Sequence, residues 1–114
     1  MKKMKGGMHM YNQRDIILIP FPYSDLTSNK VRPALIISNS NLHGDKICML
    51  VTSKKSHNSI SINNNSLLNP LPHESYVKSH RIFTISEEKI IKKISSITPE
   101  FHKKLLKELE KITK

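Results

Sequence analysis

Apolar positions in this chain fall into short blocks separated by polar stretches, and only the last part shows helical spacing. The run Ile16-Ile17-Leu18-Ile19-Pro20-Phe21 is unbroken and β-branched, the pattern of a strand buried on both faces. Pro20 and Pro22 close it, because proline cannot donate to a ladder. Residues 23–31 read as a polar loop, and Pro33-Ala34-Leu35-Ile36-Ile37-Ser38 as a second strand. Ile47 to Val51 predicts a third, with Asn41-Leu42-His43-Gly44-Asp45 as the turn before it. Residues 54–75 are rich in Ser, Asn and Lys, and the alternation Ile60-Ser61-Ile62 within them predicts an edge strand. From Ser75 to Ile85, Tyr76 or Val77 and then Ile82 to Ile85 take strand positions.

Two helices are predicted at the end. Ser86 can cap Glu87 to Ile94, with acids in the first turn where the helix dipole favours them. Thr98-Pro99-Glu100 is a second start signal with proline at the first helical position. Phe101, Leu105, Leu109 and Ile112 then line one face, a stripe that packs most simply on the sheet. Several strands followed by helices predict an antiparallel α+β domain or small barrel rather than a βαβ fold. Residues 1–13 carry no periodic pattern and read as a flexible leader, leaving 14–114 as a single domain.

Composition narrows this picture. A chain of 114 residues holds one modest core, and 37% hydrophobic with 25% charged residues suits a soluble globular protein. No apolar run is long enough to span a bilayer and the first residues lack the apolar stretch of a signal peptide, so a cytoplasmic location without membrane contact is expected. The lone Cys48 excludes an internal disulfide or a multi-cysteine zinc site, and its apolar surroundings predict a small buried hydrophobe. The formal charge of +10 makes nucleic acid a natural partner through phosphate contacts and counterion release. Lysine-rich composition also keeps small proteins in solution, so charge alone does not single out a function.

Three blocks are more specific. They are Asp15 to Leu26 (DIILIPFPYSDL) leading into Lys30 to Ser38 (KVRPALIIS), then Val51-Thr52-Ser53, then Ser75 to Ile85 (SYVKSHRIFTI). In this order they resemble the MazF/PemK family of type II toxin–antitoxin systems. The resemblance implies a small SH3-like antiparallel β-barrel with C-terminal helices, usually a homodimer. It implies a toxin-type endoribonuclease, an mRNA interferase that cuts single-stranded RNA at short sequences without metal or cofactor. It also implies an antitoxin protein that occupies the RNA groove. Arg32 matches the family's catalytic arginine and Thr52 its strand-ending threonine or serine, with Ser53 beside it.

The chemistry accounts for those residue types. Metal-free RNA cleavage proceeds by attack of the 2′-hydroxyl on the adjacent phosphate, so charge on the phosphoryl oxygens must be held. A guanidinium offers two parallel charge-assisted hydrogen bonds to phosphate, and a threonine hydroxyl adds a donor from another direction. With a pKa above about 12, arginine serves as an electrostatic clamp rather than as a general acid. Judged by residue type alone, Arg32 would be a surface arginine ahead of a strand pairing with Asp25, and Thr52 and Ser53 an ordinary strand end.

The chain departs from the family pattern in two places. Arg14 stands where many members have glycine, and the first loop lacks their glutamate or histidine. Asp25 and His80 are therefore the candidates for proton transfer, histidine having an ordinary pKa of about 6.5. Lys30, Lys54, Lys55 and Arg81 neighbour the three blocks and are candidates to track an RNA backbone, or else form a solvated basic surface. Tyr23, with Phe21, is placed nearest the first loop for base stacking. The other histidines show no ligand spacing, and there is neither a glycine-rich phosphate loop nor an acidic cluster, so no metal is expected. A protein-binding poison on the same fold, of the gyrase-targeting type, and a noncatalytic RNA-binding module are the alternatives.

Overall fold

The structure is a computed structural model that describes residues 10–20, 30–39 and 44–113; Ile112 is described by its backbone only. Six strands, β1 (Asp15–Pro20), β2 (Val31–Ile36), β3 (Asp45–Thr52), β4 (Ser59–Ile62), β5 (Ser75–Ser86) and β6 (Lys92–Ser96), precede one helix, α1 (Pro99–Thr113). They form a single sheet in the order β4-β5-β3-β2-β1-β6, antiparallel at every pairing. The register of β3 on β5 shifts at Met49/Leu50 and that of β1 on β6 at Ile16/Ile17. Such irregularities bend and twist a strand, and the sheet curls into a half-barrel.

The connection between β4 and β5 is strapped onto the opposite edge of the sheet. Leu68 N donates to the Ser96 carbonyl at 2.9 Å, and Thr98 N donates to the Ser66 carbonyl at 2.9 Å. Ser95 Oγ accepts from Asn69 N at 3.2 Å and donates to the Asn69 carbonyl at 2.7 Å. The strap draws the two sheet edges toward each other and covers β6, which would otherwise present unpaired backbone groups.

Strand alternation divides the apolar residues between two clusters. Ile16, Leu35, Met49, Val51 and Val77 face inward with Phe101 and Leu105 of α1. Ile17, Ile19, Ala34, Ile36 and Cys48 form the other cluster with Ile90. The unbroken run of β1 is thus buried on both faces, as its composition requires. Cys48 is fully buried, and that burial pushes its thiol up to about 12, against a smaller downward pull from the Lys46 ammonium.

The helix predicted over Glu87 to Ile94 does not form. Glu87–Lys89 makes one 3-10 turn without a side-chain cap from Ser86, and Lys92–Ser96 is strand β6. Glu87 Oε2 accepts from Tyr11 N at 3.3 Å and lies 4.0 Å from Lys46 Nζ, so the acid that should have started a helix points into the body. Ile91 N donates to the Leu18 carbonyl at 2.8 Å, and β6 then supplies the open edge of β1 with a hydrogen-bonding partner. Satisfying that backbone outweighs the weak preference of this segment for helix. The second start signal does operate: Thr98 Oγ1 accepts from Phe101 N at 3.2 Å, and Pro99 opens α1. A single C-terminal helix therefore replaces the expected pair.

Of the predicted leader, residues 10–13 are described. Tyr11 packs on the second cluster, and Gln13 Nε2 donates to the Ile37 carbonyl at 2.9 Å. Arg14, at the position where the family often has glycine, takes a left-handed φ of 80°. Among the described residues no helix is long and apolar enough to cross a membrane.

Candidate functional site

Two neighbouring strands in the middle of the sheet bring the principal candidates together. β2 pairs with β3 through Ala34↔Leu50, Leu35↔Met49 and Ile36↔Cys48. Continued beyond Ala34↔Leu50, this register sets Arg32 opposite Thr52, where the paired ladder has already ended. Arg32 is therefore the second residue of β2, paired with Ile19 of β1, and not a residue ahead of the strand. Thr52 closes β3 and pairs with Tyr76 of β5. A groove of about 420 Å³ opens between the strand ends, lined by Arg32, Thr52, Ser53 and Lys54 on one side.

Local bonding prepares these side chains. Thr52 Oγ1 accepts from Lys54 N at 3.1 Å, which turns the chain at Ser53 and leaves the hydroxyl proton for another acceptor. The facing wall consists of Leu71, Pro72 and His73, on the β4–β5 connection that Ser95 holds in place, with Ser75 at the start of β5 beside them. Ser75 Oγ donates to the His73 carbonyl at 3.0 Å and shapes that wall further. Among the described residues the lining includes Arg32, Lys54 and His73 and no Asp or Glu, while Leu18, Val51 and Ile94 make it partly apolar. Positive groups beside apolar walls favour an anion and strengthen its hydrogen bonds, because less water competes for them. Such a groove can hold a phosphodiester by its oxygens.

The other predicted site residues divide into three groups. Ser53 and Lys54 line the groove with Arg32 and Thr52, whereas Lys30 and Lys55 are exposed beside it in sequence without lining it. His80 and Arg81 are exposed on β5 within the register shift between Lys78 and Ile82, away from the groove lining. Asp25, Tyr23 and Phe21 lie outside the described residues, and so does the Arg32–Asp25 pairing weighed against the clamp.

His73 was not singled out by its sequence context. It sits in a Ser- and Asn-rich connection with no motif around it, and only the strap to β6 carries it to the groove. Among the described residues no three His, Cys, Asp or Glu side chains converge as a metal site would require.

Comparison with known proteins places this geometry in context. A family model described as "PemK-like, MazF-like toxin of type II toxin-antitoxin system" matches residues 12–113. A mycobacterial endoribonuclease in complex with its cognate antitoxin superposes with a TM-score of 0.71 at 16% identity, covering 89% of this chain and 92% of that one. MazF in the MazE–MazF complex of Deinococcus radiodurans gives 0.72 at 12% identity, covering 91% and 96%. The Mycobacterium tuberculosis toxin MazF-mt6 gives 0.66 at 16% identity, covering 86% and 94%. At these identities the likeness is one of fold. No curated protein matches the chain significantly in sequence.

Proposed function

Since the chain belongs to the PemK-like, MazF-like toxins of type II toxin–antitoxin systems, we propose that it is an endoribonuclease that cuts single-stranded RNA at short sequences without a metal. The observation that carries this reading is the convergence of Arg32 and Thr52 on one anion-favouring groove. The mycobacterial neighbour described as an endoribonuclease supports it.

In the proposed reaction the ribose 2′-oxygen attacks the adjacent phosphorus as it loses its proton. The bond to the 5′-oxygen breaks, and that oxygen takes up a proton as it leaves. The products are a 2′,3′-cyclic phosphate and a 5′-hydroxyl. Arg32 holds the two nonbridging oxygens through its guanidinium, and the Thr52 hydroxyl donates from the neighbouring strand. Ser53 and Lys54 hold the same or the next phosphate. Among the described residues His73 is the only imidazole or carboxylate that lines the groove, and we assign it the proton from the 2′-hydroxyl. Lys30, Lys55 and Arg81 serve phosphates farther along the strand. The proposed partners are a second copy of the chain and an antitoxin protein, the latter suggested by the complexed neighbours.

The test is to incubate a long RNA with the protein in EDTA and map the ends. Cuts bearing 5′-hydroxyls are expected, and Arg32→Ala should lower the rate by about a hundred- to a thousandfold, the usual loss of a preorganised donor, with the fold retained. RNA left intact by the wild type would overturn the reading. Undiminished cleavage by the variant would remove Arg32 from the site.

A further inference from the structure

A second hollow, of about 240 Å³, adjoins the groove and shares its Leu71, Pro72 and His73 wall. It is smaller than the roughly 300–1,000 Å³ typical of a drug-sized site, and so suits a fragment of a larger ligand. Its chemistry differs from that of the groove. Ser61, Asn63, Asn64 and Glu74 line it, and among the described residues no lysine or arginine does. A carboxylate among neutral amides repels phosphate, so an RNA chain crossing the wall would set its backbone in the groove and offer this hollow a base.

The polar groups are held ready for that task. Tyr76 Oη donates to Glu74 Oε1 at 3.2 Å, which orients the carboxylate and leaves most of its acceptor capacity unused. Asn63 stands where an asparagine usually caps a helical turn, yet its side chain makes no capping bond. Its backbone is nonetheless fixed, because the Asn63 carbonyl accepts from Ser66 N at 2.8 Å. Asn64 is fixed likewise, its carbonyl accepting from Leu67 N at 3.1 Å. The strap through Leu68 and Asn69 to β6 anchors the chain that follows.

We infer that this hollow is a base-reading subsite of the proposed ribonuclease, taking a nucleobase with an exocyclic amino group from a nucleotide next to the scissile phosphate. The inference rests on the endoribonuclease reading and adds a source of sequence preference to it. A carboxylate only accepts, so it matches amino and ring N–H donors and opposes carbonyl oxygens. Guanine presents a ring N–H and an amino group side by side and is the best match for the two oxygens of Glu74. Uracil has no amino group, and carbonyls flank its one N–H. The Asn63 and Asn64 amides, able both to donate and to accept, complete contacts along the base edge.

The experiment digests a pool of RNA oligonucleotides randomised around the cut with wild type, Glu74→Gln and Asn63→Ala, followed by sequencing of the ends. Thermal melting of each variant checks its fold. In the wild type, one position beside the cut should favour an amino-bearing base over uracil by about tenfold or more. Glu74→Gln and Asn63→Ala should flatten the preference at that position while uracil-containing sites are still cut. Variants that keep the wild-type preference, or that slow all sites equally, would overturn the subsite and leave the ribonuclease reading standing. A wild type that cuts no RNA would overturn both.

Discussion

His73 and Arg32 divide the proposed chemistry between proton and charge, and their substitutions should behave differently. His73→Gln keeps a polar side chain of similar reach but cannot accept the proton. It should lower kcat by about a hundredfold or more, with KM little changed. A variant that keeps the wild-type kcat would return proton transfer to another candidate, Asp25 or His80. Arg32→Ala, in contrast, removes a charge that holds the phosphate and should lower the rate by about a hundred- to a thousandfold.

At the scale of the element, α1 contains a group that makes stability depend on pH. His102 is buried on the helix, and among the described residues its Nε2 meets no hydrogen-bond partner. Burial lowers its pKa, and the nearby Arg14 charge lowers it further. The folded state therefore binds this proton less readily than the unfolded chain does. Where the unfolded histidine is protonated and the folded one is not, the unfolded state carries more protons, so stability rises with pH. The stability is fully present above the ordinary histidine pKa of about 6.5 and is lost as pH falls toward the lowered folded value. Urea unfolding midpoints between pH 7.5 and 5 should fall more steeply for wild type than for His102→Gln. Parallel curves would remove His102 from the acid sensitivity.

Over the whole molecule, the excess of Lys and Arg that gives the chain its charge of +10 is not gathered only in the groove. Arg32 and Lys54 line it, Lys30 and Lys55 are exposed next to it in sequence, and Arg81 is exposed on β5 away from its lining. An RNA strand longer than the site should therefore bind with a steep salt dependence. With RNA made uncleavable by 2′-O-methylation, Lys55→Ala and Lys30→Ala should each weaken binding. Each should also reduce the slope of log affinity against log salt by about 0.7, the single-strand value per phosphate contact. An unchanged slope would place that lysine off the RNA path.

Much of this molecule was legible in local pattern. Apolar runs of four to six residues, proline stops and the Thr98-Pro99 start are properties of neighbouring residues, so β1, β2, β3, β4, β5 and α1 could be anticipated from the chain alone. Family membership and the candidacy of Arg32 and Thr52 were legible too, because the blocks around them are contiguous. The fate of residues 87–96 was not, since Ser86-Glu87-Glu88 is a sound helix start until the open edge of β1 requires a partner. His73, Asn63 and Glu74 were equally silent, for no spacing in a Ser/Asn-rich connection shows what it will face. The sequence by itself thus determined which segments outside residues 87–96 become elements and which two residues are the first candidates for the site. Tertiary structure alone decided where the β4–β5 connection lies, because strapping Leu68 and Asn69 to Ser95 and Ser96 is a contact between distant parts of the chain.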